Sequence, residues 1–347
     1  MDIIHPPGVF VNGFFRVLKR TRKSLIIRQI FHWDGMMSPR AKQIILPLTA
    51  ALIWGTAFVA QDVCADSVPA FTFNTVRCFA AFVVLMYFYY IIKAVRMAKA
   101  RSAGEELQAP SPEERRSARR TLFIAALLCG TVLSIASNLQ QAGMQLGTDS
   151  GKAGFITALY IVLVPIGGLF LKKRVPALFW LGVALAVAGL YLLCISSEFT
   201  LTTGDLLMLL CAVAFTVQIL LIDRYSPHVD SILLCAWEFF VAGIWSALGM
   251  LVFESPDWAA VWAKMLPIMY VAVFSSGVAY LLQIVAQKQG NPSLVSLLFS
   301  MEAVFAVIAS AIILGQRMTA REYAGCALML AAVIVAQLVP QRQAGRS

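Results

Sequence analysis

Charge is scarce in this chain of 347 residues, where Lys, Arg, Asp and Glu together make up 13%, about half the share of an ordinary soluble domain. That scarcity excludes a water-facing surface over most of the molecule. Histidine is scarcer still: the chain has three, His5, His32 and His228, and all stand outside the apolar stretches described below. No Cys/His or His/Glu group has metal-ligand spacing, and no nucleophile stands beside a base. The sequence therefore offers no metal centre, no cofactor motif and no enzyme's constellation. Of seven cysteines, Cys78, Cys129, Cys194, Cys211, Cys235 and Cys326 fall within apolar stretches, which excludes a disulfide framework. Strict alternation of apolar and polar residues is missing too, which argues against a membrane β-barrel. No apolar segment near the amino terminus leads to a small-residue cleavage site, so a signal peptide is not expected.

What the chain does have is hydrophobic length. Hydrophobic residues make up 60%, and mean hydropathy is +0.78. Ten apolar runs are legible: 43–60, 70–92, 121–144, 153–171, 176–195, 205–222, 231–252, 265–286, 292–314 and 322–339. A helix rising about 1.5 Å per residue needs roughly 20 such residues to cross a hydrocarbon core of about 30 Å. The expected fold is an all-α polytopic membrane protein with ten transmembrane helices.

The ten runs form two sets of five that resemble each other. At one offset Leu171, Arg174 and Gly182 lie over Leu314, Arg317 and Gly325; at others Phe58 and Gln61 lie over Phe215 and Gln218, and Ser134, Asn138, Gln141 and Gln145 over Ser276, Tyr280, Gln283 and Gln287. Five is odd, so the second set must enter the bilayer in the opposite sense, as an inverted repeat. Placing the amino terminus in the cytoplasm puts most of the 28 Lys and Arg on the cytoplasmic side, including Lys93, Arg96, Arg115, Arg119, Lys173 and Arg224. Both termini are then inside, in the cytoplasmic (inner) membrane. Basic loops beside anionic headgroups account for the net charge of +10, and no nucleic-acid partner is needed.

The expected organisation is a cytoplasmic tail over 1–42, a first repeat over 43–195, a second over 204–339 and a short cytoplasmic tail over 340–347. Residues 1–35 interleave Phe10, Phe14, Phe15 and Leu18 with basic residues, either as a surface-lying helix or as an unstructured stretch before an alternative start at Met36 or Met37. The segment from Arg101 to Arg120, with Pro110, Pro112 and Glu113, reads as a solvated loop.

Polar residues inside the runs are few enough to be informative. Arg77 and Glu238 occupy matching places in the two repeats, Glu302 lies near the middle of the ninth run, and Lys152 lies just before the fourth. A charge near a helix centre costs on the order of 3 kcal/mol, so it should face a cavity or a partner. Arg77 and Glu302 suit a substrate or coupling-ion contact, or else a structural ion pair; Glu238 and Lys152, nearer the run ends, can also snorkel to the surface. Ser134, Asn138, Gln141 and Gln145 share one helix face, as do Ser276, Tyr280, Gln283 and Gln287. These stripes mark a polar route near the pseudo-twofold axis, or hydrogen bonds that hold helices together. Trp54, Phe58 and Gln61 share a face of the first run, and Phe215 and Gln218 the matching face of the sixth.

With these residues in view, the chain resembles the EamA-type drug/metabolite transporter superfamily over about residues 43 to 339. The resemblance rests on Leu48-Thr-Ala-Ala-Leu-Ile-Trp54-Gly-Thr-Ala-Phe58, on Ala153-Gly-Phe-Ile-Thr-Ala-Leu-Tyr-Ile-Val-Leu-Val-Pro165, on Gly204-Asp205, and on Ser300-Met-Glu302-Ala-Val-Phe305 with Leu314-Gly-Gln316-Arg317. Ala303 stands where proline commonly follows Glu302, and Gln316 where Glu is usual, which removes the usual cause of a bend at 303 and of an ion pair near 316. The resemblance implies a ten-helix carrier of small metabolites or drugs, often directed outward. On this reading Trp54, Phe58, Gln61, Asn74, Arg77, Asn138, Gln141, Tyr160, Gln218, Tyr280 and Gln283 are candidate substrate contacts, and Glu302 or Glu238 a coupling site. A channel or a lipid-moving protein would use the same polar seam. The partners expected are a small-molecule substrate and the bilayer, with the chain acting as a monomer or homodimer.

Overall fold

A computed structural model describes residues 39–103, 111–148, 150–171, 175–195, 202–313 and 318–338. The candidate surface helix near the amino terminus, Lys173, Arg174, Leu314 to Arg317 and the carboxyl-terminal tail lie outside the described residues.

Every regular element among the described residues is helical. In chain order they are α1 (Pro39–Ala65), α2 (Ala70–Ser102), α3 (Pro112–Gln145), α4a (Ser150–Thr157), α4b (Tyr160–Phe170), α5 (Ala177–Cys194), α6 (Thr203–Tyr225) and α7 (Ser231–Phe253). There follow a short helix, Trp258–Ala263, then α8, whose stretches are Met265–Tyr270, Val271–Ala279 and Tyr280–Gln289, then α9a (Pro292–Phe299), α9b (Glu302–Ile313) and α10 (Ala320–Leu338). Nine of the described spans are long and apolar enough to cross a bilayer, with α4a and α4b, and α9a and α9b, each counted together; α5 supplies a shorter apolar helix. The outward surface is apolar, with Val83, Phe123, Phe170 and Leu251 exposed, as lipid contact requires. The chain is an all-α polytopic membrane protein.

Local chemistry fixes the helix starts. Ser111 and Glu114 form a capping box at α3 with Pro112 at the first helical position; Thr202 and Asp205 form one at α6. Asp230 caps α7 through the amides of Ile232 and Leu233. Each side chain satisfies amides that the first helical turn leaves unpaired. These starts correct the loop expected over 101–120. α2 runs on to Ser102 and α3 begins at Pro112, because the Ala, Lys and Arg of the segment are good helix formers and the box at Ser111 sets a new start.

The two repeats interlock within one compact unit, Gln43–Ser347. α5 packs on α10, α2 on α7 and α8, and α3 on α6 and α7. The first helix of each repeat lies against the third and fourth of the other: α6 packs on α3 and α4b, while Thr56 of α1 bonds the Tyr270 hydroxyl of α8 at 2.6 Å and Gly55 abuts Glu302 and Ala306 of α9b. Contacts also obey the exchange in detail. A Cβ at Gly325 would stand 2.8 Å from the Gly189 carbonyl oxygen, and one at Gly182 would stand 3.2 Å from that of Ala332; exchanging the repeats turns the first contact into the second. This is the pattern of halves related by a twofold axis, as inverted insertion requires.

The fourth and ninth spans are both interrupted, at matching places. Leu159 N–H bonds the Ile156 carbonyl and Met301 N–H that of Leu298, each at 3.2 Å, so a three-residue turn tightens each helix. The ninth span thus breaks at Ser300–Met301, without the proline that 303 lacks.

Candidate functional site

A cavity lined by residues of both halves lies between the repeats. The interruptions in α4 and α9 open into it. Tyr160 begins α4b, Glu302 begins α9b, and the Tyr160 hydroxyl donates to Glu302 Oε1 at 3.2 Å. These residues are repeat equivalents, so their meeting places the cavity at the pseudo-twofold axis.

One wall is aromatic. Trp54 sets its ring edge-on to Tyr280, with centroids 5.2 Å apart, and to Phe299 at 5.0 Å; Phe58 and Phe215 continue the lining. The Trp54 indole Nε1 is buried without a hydrogen-bond partner among the described residues. Such a donor is costly to leave unmet.

The other wall is polar. Arg77 lies on α2 and is 3% exposed. Its Nη1 donates to Gln61 Oε1 at 3.2 Å, its Nη2 to Ser137 Oγ at 3.3 Å, and its Nε to nothing among the described residues. The guanidinium also lies 6.0 Å from the Phe73 ring centroid. Among the described residues no carboxylate forms an ion pair with it. From the second repeat come Gln218 and Gln283, whose amides meet at 3.0 Å. The wide-turned π stretch Val271–Ala279 of α8 presents Ser275 and leads into Tyr280; such stretches recur at functional sites.

The structure thus gathers Trp54, Phe58, Gln61, Arg77, Tyr160, Gln218, Tyr280, Gln283 and Glu302 around one cavity. Asn74, Asn138, Gln141 and Glu238 stand outside its wall. Asn74 Nδ2 reaches Asn138 Oδ1 at 3.1 Å, and Asn138 Nδ2 reaches Ser246 Oγ at 2.9 Å, tying α2, α3 and α7. Gln141 Nε2 donates to the Gln61 carbonyl at 3.4 Å, Gln145 to Val68 O and Gln287 to Ile219 O, both at 2.8 Å. Much of each polar stripe therefore joins helices. Glu238 is 0% exposed, with Gln218 beside it. It does not snorkel, because α3 crosses so closely that a Cβ at Gly130 would stand 2.5 Å from the Glu238 carbonyl oxygen.

Sequence reasoning missed Gln140, Thr157, Ile219, Ser275 and Phe299 in this wall. The repeat register held a signal for two of them: Thr157 and Phe299 are equivalent positions, each three residues before Tyr160 or Glu302.

At the end of the bundle where α3 finishes and α6 begins, Lys152 meets Asp205 at 2.5 Å. Lys152 therefore pairs across the repeats instead of snorkelling. Thr148 Oγ1 and the Thr202 amide also donate to Asp205, at 3.1 and 2.7 Å. The helices nearly touch there, since a Cβ at Gly204 would lie 2.7 Å from the Gly143 carbonyl oxygen.

Comparison with known proteins matches this arrangement to the EamA-like transporter family twice, over residues 41–195 and again over 202–337. The chain belongs to that family. It is 32% identical over 294 residues to an uncharacterized transporter of Archaeoglobus fulgidus, covering 83% of each chain. It is 25% identical over 316 residues to an uncharacterized transporter of Synechocystis sp., covering 84% of this chain and 87% of that one. A solved crystal structure shares the fold with a TM-score of 0.66, over 86% of this chain and 98% of that one, at 19% identity. As an EamA-like protein the chain is a multi-pass membrane transporter of the drug/metabolite transporter superfamily. The two family matches divide where α5 ends and α6 begins, so the cavity draws on both.

Proposed function

We propose that this protein is a secondary transporter that moves a small organic metabolite or drug outward across the cytoplasmic membrane by alternating access. The observation that carries the reading is the cavity on the pseudo-twofold axis, walled by both repeats and met there by the equivalent residues Tyr160 and Glu302. A site shared between interlocked inverted halves is exposed to one side or the other when the halves rock. Arg77 anchors an anionic group, the amides of Gln61, Gln218 and Gln283 orient polar parts, and the Trp54, Phe58 and Tyr280 rings enclose the apolar body. Asn74, Asn138 and Gln141 act from behind the wall by holding α1, α2 and α3 in register.

Glu302 is the favoured carrier of a coupling proton, because it lies in the cavity wall and the Tyr160 hydroxyl bonds it directly. Glu238, enclosed away from that wall, is the weaker choice. The distribution of basic residues supports an orientation with both termini in the cytoplasm and the Lys152–Asp205 end outside. That end is held by a part-buried ion pair and a helix crossing, which favours a carrier over a channel or a lipid path.

Reconstituted vesicles test the reading. Saturable counterflow of a small solute, accelerated by an imposed pH gradient in the native protein and indifferent to the gradient in Glu302→Gln, is the expected result. Unsaturable flux would point to a channel, and gradient-driven flux that survives Glu302→Gln would remove Glu302 from coupling.

A further inference from the structure

We propose that Gln140 is a specificity-determining residue that reads a carboxylate on the substrate together with Arg77 and Gln61, so that the transporter selects carboxylic acids bearing a flat apolar body. The proposal rests on the transporter reading above and deepens it. Gln140 is 6% exposed and lines the cavity, yet its amide makes no hydrogen bond among the described residues. An amide that lines the cavity without a protein partner is hydrogen-bonding capacity open to a ligand.

Its neighbours give that capacity a direction. Ser137, which takes the Arg77 Nη2 bond at 3.3 Å, lies three residues earlier on α3, so Gln140 stands one turn along the same helix face. Both Arg77 bonds, at 3.2 and 3.3 Å, are longer than the 2.7–2.9 Å usual for a charge-assisted pair. Both also go to neutral oxygens, so the guanidinium keeps most of its attraction for an anion. Gln61 gives its Oε1 to Arg77, which leaves its Nε2 as a further donor. A guanidinium and two amides converging on one pole suit a group that offers several lone pairs and a negative charge, and they repel an ammonium. The repeat equivalent of Gln140 is Leu282, and that of Arg77 is Glu238, which lies outside the cavity wall. The donor pole therefore belongs to the first repeat alone and fixes which way the substrate points. The Trp54, Phe58 and Phe299 rings line the same cavity and offer aromatic faces to a flat apolar body.

A carboxylate can arrive on a simple acid or on a zwitterion whose ammonium turns toward Glu302. Four probes that share one phenyl ring separate these cases: phenylacetate, phenylglycine, phenylacetamide and benzylamine. Binding is measured on the purified full-length protein in detergent, through ligand-induced shifts of its thermal unfolding. The expected result is that one or both acids bind while the amide and the amine do not. Phenylacetate above phenylglycine identifies a simple anion, and the reverse identifies a zwitterion held also by Glu302. Gln140→Leu should weaken the acids about tenfold, the size of one lost hydrogen bond to a charged group, and should narrow the acid-to-amide ratio. Gln140→Asn should restore part of that ratio. Gln140→Glu, which offers Arg77 a resident carboxylate, should abolish acid binding. The proposal is overturned if the amide or the amine binds as tightly as the acids, if Gln140→Leu and Gln140→Asn leave the acid-to-amide ratio at its native value, or if none of the four probes binds. Counterflow in vesicles stands apart from all three outcomes and tests the transporter reading alone.

Discussion

An arginine held 3% exposed with two long bonds to neutral oxygens is expensive to fold around. Desolvation of a charge is only partly repaid by neutral acceptors, so Arg77 is a place where stability has been given up for binding. Replacing it with leucine separates the two effects. The substrate-free protein should unfold at a higher temperature than the native one, while affinity for an anionic substrate should fall at least tenfold through loss of charge-assisted bonds. Thermal unfolding without and with ligand measures both. A variant that melts lower and still binds would show that Arg77 is structural glue. Trp54 makes a related case at smaller scale, since its buried Nε1 has no partner among the described residues and replacement by phenylalanine removes that orphan donor while keeping a smaller aromatic ring in its place. Sequence spacing did single out Arg77, Trp54 and Glu302. It passed over Gln140, because the i, i+4, i+7 stripe of Ser134, Asn138 and Gln141 points about 100° away on the same helix, and periodicity shows that a face is polar without showing what it meets.

Among the elements, the repeats meet by different chemistry at the two ends of the bundle. At one end Lys152 and Asp205 join the repeats with Thr148 in support. Their repeat equivalents at the other end are Leu294 and Leu48, which pack in an apolar cluster. One end is thus latched by charge and the other by hydrophobic contact. Removing the cation should loosen only the first. In a background stripped of native cysteines, with a cysteine at Thr157 as reporter, Lys152→Met should speed labelling by a membrane-impermeant thiol reagent about tenfold from outside. Leu294→Ala should speed it from the cytoplasmic side. If Lys152→Met leaves the outer rate where it was, the pair does not close that end. The lengths of the spans and the repeat register were readable in sequence because both are written in local composition. The latch was not, because Asp205 entered the sequence reading only as part of the Gly204-Asp205 motif at the start of α6, and its pairing depends on a lysine brought in by the fold. The breaks in α4 and α9 escaped for a related reason. No residue at 158–159 or 300–301 forces a break, and the turns tighten by three-residue backbone bonds that other sequences also allow.

At the scale of the whole molecule, the repeats hold each other in place where α5 crosses α10. Gly189 and Gly325 lie so close that a Cβ on either would stand within 3 Å of the other's carbonyl oxygen, an approach that only small residues permit inside a membrane. Gly325→Val should cost about 1–3 kcal/mol through overpacking and lower the unfolding temperature, whereas valine at Leu338, an exposed position on the same helix, should change it little. The crossing and its partner at Gly182 and Ala332 relate to each other by exchange of repeats, and an exchange axis of that kind lying in the membrane plane demands that equivalent residues end on opposite sides. Leu146, just past α3, and Lys288, near the end of α8, are such equivalents, and both are exposed. With native cysteines replaced, a cysteine at 146 should react with an impermeant reagent applied to intact cells, and one at 288 only after the membrane is opened. Labelling of both from the same face would mean that the second repeat enters the bilayer in the sense of the first, and a rocking pair of inverted halves could not then form around the Tyr160 and Glu302 contact.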